Sequence, residues 1–131
     1  MGEQQVLEIG TITLDWSGWV PWTDVAADNR GGAGVLIPNH ASGVYEVRHA
    51  ERDRQERTYI GKAGDLRLRV RQGLVKGKLP YSAGHRIWEL EDVSQLVVRW
   101  AVTDRPSAAE EELHRAHRAR FGCPPLYTRN S

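Results

Sequence analysis

At 131 residues the chain is long enough for one domain with a modest core and too short for two. An apolar share of 40% beside 27% charged residues excludes a disordered composition, no apolar run reaches the roughly 18 residues of a membrane helix, and the single cysteine, Cys123, excludes an internal disulfide and a cysteine-rich zinc site. The net charge of +1 hides an asymmetry: residues 1–46 carry one arginine against six acids, and residues 47–89 carry eleven Lys/Arg against five, so the middle is a candidate footprint for a polyanion.

The start, MGEQQVLEIG, has neither a basic beginning nor a long apolar stretch, which predicts no secretory signal. With the cysteine usage, this predicts a cytoplasmic protein with no membrane partner. From Val6, VLEIGTITLDW has β-branched residues in partial alternation and reads as a strand. Trp16, Trp19 and Trp22 then fall within seven residues. They read as a hydrophobic patch docking this lead-in on the main body, with base stacking as the alternative. Gly31-Gly32-Ala33-Gly34 is part of a dinucleotide-loop pattern, but it neither follows a clear strand nor opens a helix.

From Ser42 the pattern sharpens. Gly43–Arg48 and Arg57–Gly61 read as two strands of a hairpin, joined by a long polar loop. Asp65 is a helix N-cap, and Leu66, Val70 and Leu74 make one apolar helical stripe. Residues 84–91 are ambiguous between helix and strand. Leu96–Val102 is dense in β-formers and reads as a buried third strand. Ser107, with Glu110 three residues on, reads as a capping box opening a helix to about Phe121. Ala109, Leu113 and Ala116 face its core side, Gly122 stops it, and Pro124-Pro125 prevent continuation. The predicted fold is α/β: a small, mainly three-stranded antiparallel sheet flanked by helices. Residues 1–41 form an extension packed on a domain of residues 42–131.

The order of these pieces resembles the GIY-YIG nuclease superfamily. Gly43-Val44-Tyr45 matches the first motif and Tyr59-Ile60-Gly61-Lys62-Ala63 the second. Asp65-Leu66-Arg67-Leu68-Arg69, the Glu110-x-x-Leu113 helix, Pro124-Pro125 and Asn130 complete the set. The resemblance spans residues 42–131, and the Tyr59–Arg69 segment is similar to the incision nucleases of excision repair. It implies a metal-dependent endonuclease acting on DNA, with a non-catalytic nucleic-acid-binding module of the same fold as the alternative. It also implies one divalent ion, Mg²⁺ or in its place Mn²⁺, held by a single carboxylate. Specificity would come from this domain, a partner protein or a homodimer.

The resemblance assigns roles residue by residue. Glu110 matches the metal-holding position, with Glu111 and Glu112 as register alternatives. Arg69, ten residues after Tyr59, would clamp a phosphate oxygen and offset transition-state charge. Tyr59 would orient or deprotonate the attacking water, with Tyr45 as its positioning partner. A phenol titrates near 10 in water, and nearby cations would lower that value. Lys62 adds a cation beside the phosphate. Arg67 and Arg71, pointing to other sides of the helix, and Lys76 and Lys78 would contact the nucleic-acid backbone. Many relatives carry His or Tyr four residues after the helix arginine, where this chain has Gly73; His85, His114 or His117 could substitute. His114-x-x-His117 itself reads as a surface pair rather than a zinc site. Asn130 would brace the site from one residue before the end of the sequence.

Overall fold

The computed structural model describes residues 12–26, 36–51, 58–75, 87 and 91–125. The expected strand from Val6 lies partly outside these residues, and residues 12–19 within them are irregular. Gly31–Gly34, Lys76, Lys78, His85 and Asn130 also lie outside.

The protein is α/β, built on a four-stranded antiparallel sheet in the order β1-β4-β2-β3. The strands are β1 (Val20–Pro21), β2 (Gly43–His49), β3 (Tyr59–Ala63) and β4 (Leu96–Val102). Among the described residues two α-helices, α1 (Trp22–Ala26) and α2 (Pro106–Phe121), accompany them. β2 is central. It pairs with β4 from Gly43–Val102 to His49–Leu96, and with β3 from Gly43–Ala63 to Val47–Tyr59. The expected three strands are therefore joined by a fourth. Val20 and Pro21 pair with Val98 and Val97 on the free edge of β4, and Ser17 extends the contact through its N–H to the Trp100 carbonyl at 2.8 Å. No strand reading of a two-residue segment beside a proline is available from alternation, because the partner strand supplies the reason for it.

Alternation along the strands makes two cores. One face turns Tyr45, Val47, Val98 and Trp100 toward Trp22 and Val25 of α1, Leu66, Val70, Ile37 and Ile87. The other turns Val44 and Ala101 toward Ala109 of α2, with Ile12, Leu14, Trp16 and Leu113 packed at its margin. The lead-in wraps around the β4 edge and serves both faces. Trp22 is buried in the first core, while Trp16 and Trp19 lie on the second face.

There the tryptophans stack with arginines. Arg99 lies over Trp16 at 4.0 Å and over Trp19 at 4.5 Å, and Arg48 lies over Trp19 at 4.8 Å. Both guanidiniums converge on the buried Glu46. Arg99 donates through Nε and Nη2 to Oε1 at 2.9 and 2.7 Å, and Arg48 through Nη2 to Oε2 at 3.0 Å. A carboxylate taken out of water needs such partners, since removing them from a buried charge costs about 3–5 kcal/mol.

Three local expectations are corrected. The segment after Asp65 winds as a π-helix over Leu68–Val75, not as an α-helix, although Leu66 and Val70 are buried as the stripe predicts. Helix α2 begins with Pro106 in its first turn and Arg105 as N-cap, so Ser107 lies inside it. Its second half buries His117 rather than Ala116, because the His117 ring turns to the carbonyl of Cys123 beyond the helix end. Gly122 ends the helix at φ 78°, the left-handed conformation that only glycine adopts without strain. Among the described residues, no helix is long and apolar enough to cross a membrane.

Candidate active site

The two motif glycines have steric reasons. A β-carbon on Gly43 would collide with the carbonyl oxygen of Ala101 in the paired strand and stand 2.6 Å from Leu66 Cδ1. Gly61 faces Tyr45 across the β2–β3 pair. A β-carbon there would stand 2.5 Å from the Tyr45 hydroxyl and 2.6 Å from Cζ. The Tyr45 ring thus lies across Gly61, and its hydroxyl is carried over β3.

Tyr59 shares that face two residues from Gly61. The two tyrosine rings stand 5.9 Å apart, tilted by 50°. Tyr59 and Arg69 both act on the Tyr45 hydroxyl. Burial pushes the Tyr45 phenol well above its ordinary value, Tyr59 adds to the shift, and Arg69 opposes it without prevailing. The expectation that nearby cations lower the phenol is corrected for Tyr45: desolvation outweighs the guanidinium, and this hydroxyl keeps its proton. Tyr45, Tyr59 and Arg69 form one contact cluster from three separate segments.

Lys62 and Glu110 belong to a second group, between β3 and α2. Alternation turns Lys62 away from the tyrosines, and its Nζ donates to Ser107 Oγ at 3.0 Å. His114, two turns further along α2, meets the Ile60 carbonyl at 3.2 Å. That carbonyl accepts only, so Nε2 carries a proton. Glu110 lies three residues after Ser107 and four before His114, on the side of α2 that meets β3. It is half-buried, whereas Glu111 is exposed and Glu112 is bound to Arg115 at 2.7 Å. Among the described residues Glu110 has no ion-pair or hydrogen-bond partner.

Of the remaining candidates, Arg67 and His117 have backbone partners. Arg67 Nε donates to the Ile37 carbonyl at 2.8 Å, which ties the segment before β2 to the residue that precedes the π-helix. Arg71 is half-buried. His117 donates from Nδ1 to Cys123 at 3.0 Å and stacks on Phe121 at 4.6 Å. Sequence reading passed over a further pair: His40, 85% exposed, holds Nδ1 3.6 Å from Asp65 Oδ2. No spacing rule links residues 40 and 65. The backbone bonds that bring them together, Leu66 N–H to Ala41 and Arg67 N–H to Pro38, are visible only in the fold.

Among the described residues no three His, Cys, Asp or Glu side chains converge to hold a metal ion. A magnesium ion asks for less than that. It keeps several waters and takes one or two carboxylates plus substrate phosphates. A half-buried, unpaired Glu110 fits such an ion as its protein ligand. In comparisons with models of protein families, with curated proteins and with solved structures, the chain has no match.

Proposed function

We propose that this chain is a metal-dependent endonuclease of the GIY-YIG type, hydrolysing DNA phosphodiester bonds inside the cell. The observation that carries this reading is the Tyr45–Tyr59–Arg69 cluster laid over Gly61. Packing alone does not ask for it: a structural tyrosine pair does not require an exposed arginine beside it.

Each residue has work in the reaction. Arg69 offsets negative charge that grows on the phosphoryl oxygens, and does so most strongly in the transition state. Tyr45, held protonated, positions Tyr59. Tyr59 then points its own hydroxyl outward to orient the attacking water. Glu110 would hold the divalent ion, which when bound neutralises phosphate charge and acidifies water. Lys62, steadied by Ser107, adds a cation on the Glu110 side of β3.

The test is incubation of supercoiled plasmid and branched DNA with the protein in Mg²⁺ and in excess chelator. Nicking or cutting in Mg²⁺ alone is expected, and it is lost in Glu110→Ala with an unchanged melt. Cleavage at full rate in chelator, or by Glu110→Ala, defeats the reading. Binding of DNA without any cleavage assigns the non-catalytic module instead.

A further inference from the structure

The hydrolysis leaves one proton without a source. When the bond from phosphorus to a sugar oxygen breaks, that oxygen keeps the electron pair, and it leaves readily only if protonated. A guanidinium is not a proton donor of this kind, and burial holds the Tyr45 phenol in its protonated form. Imidazole is the side chain that exchanges a proton near neutral pH. Among the described histidines, His49 is buried 3.6 Å from Glu91, and His114 and His117 each hold a backbone carbonyl. His40 differs from these three, being largely in solvent with a carboxylate beside one ring nitrogen.

We propose that His40 is the general acid of this site, delivering a proton from Nε2 to the leaving sugar oxygen, with Asp65 as the carboxylate that orients its ring. The inference rests on the nuclease reading above. Asp65 faces Nδ1, which leaves Nε2 open to an arriving substrate. The carboxylate is itself fixed, since Oδ1 accepts from the Leu68 N–H at 3.3 Å. The Arg69 N–H donates to the Asp65 carbonyl at 3.0 Å, so the orienting carboxylate and the phosphate-clamping arginine share one helical turn.

The backbone around His40 is secured to the same turn. Leu66 N–H reaches Ala41 at 2.9 Å, Arg67 N–H reaches Pro38 at 3.2 Å, and Arg67 Nε reaches Ile37. Within this loop His40 adopts φ 59°, a left-handed conformation in which glycine would be free of strain. A strained residue of this kind persists where its surroundings over-determine it, and such residues gather at working sites.

The step balances. The water oxygen bonds to phosphorus and releases a proton to solvent. The bond from phosphorus to the sugar oxygen breaks, and that oxygen takes its electron pair and the His40 proton. Solvent then reprotonates the imidazole.

The test compares two duplexes, one all-oxygen and one with sulfur replacing the leaving oxygen at the mapped cleavage site. A thiolate leaves without a proton. The variant is His40→Gly, which relieves the φ 59° strain and is expected to melt no lower than the wild type. It should cleave the all-oxygen duplex slower by roughly 10²-fold or more. On the sulfur duplex it should stay near the wild-type rate, and added imidazole should restore part of the oxygen rate. Asp65→Asn, which keeps the helix cap, should show a smaller loss with the same contrast. Equal losses on both duplexes, or none on either, overturn the role of His40 while Arg69→Ala, slow on both, leaves the nuclease reading standing. A wild-type protein inactive on both duplexes overturns the two together.

Discussion

Tyr45 has its position because residue 61 has no side chain. Gly61→Ala places a methyl group 2.5 Å from the Tyr45 hydroxyl, so the ring must move. Overpacking of this kind costs about 1–3 kcal/mol. Displacing a positioning group by about 1 Å can cost 10²-fold in rate. A urea midpoint and a single-turnover rate, read on the same preparation, are expected to fall together. The raised phenol of Tyr45 makes a second expectation. The unfolded chain gives up this proton near the ordinary value of 10.0, and the folded chain only higher. Stability from this group is complete below that value and is lost as pH rises through the folded one. Tyr45→Phe is therefore expected to flatten the fall in stability between about pH 9 and about pH 11, checked by denaturant unfolding at both.

At the scale of elements, Arg67 is a strut, because its Nε donates to the Ile37 carbonyl. Arg67→Ala is expected to lower stability by about 0.5–1.5 kcal/mol and to leave the salt slope of DNA binding nearly unchanged. Both are read from unfolding curves and binding titrations at several salt concentrations. Much at this scale was legible in the sequence. Leu96–Val102 is a strand because β-branched residues and Trp100 line both of its faces, and Gly122 stops α2 as its spacing predicts. The tyrosines and Arg69 were legible because motif spacing encodes their meeting over Gly61. What was hidden depends on distant partners. The pairing of Val20–Pro21 and the approach of His40 to Asp65 are set by backbone contacts between segments far apart in the chain, and the inward turn of His117 by a carbonyl beyond the helix end.

The molecule as a whole is one fold with its lead-in built into it. Residues 12–26 supply a strand to the sheet, Trp22 and Val25 to one core, and Trp16 to the other. Losing a buried tryptophan alone costs about 3–5 kcal/mol, which is a large part of the stability of a small domain. A chain starting after residue 26 is expected to show no cooperative melt in near-ultraviolet circular dichroism, whereas removal of residues 1–11 alone leaves those contacts in place.

The clamp of Ser17 and Val20–Pro21 on β4 has a consequence beyond stability. It covers a run, Leu-Val-Val-Arg-Trp-Ala-Val, whose bare edge would offer unpaired amides to any neighbouring chain. Pro21 at the outer rim lacks an amide hydrogen and caps the row. If the lead-in peels away, that strand becomes a template for self-assembly. The damaged molecule would then leave solution as fibrils that bind amyloid dyes, and the first sign of a loosened lead-in would be turbidity.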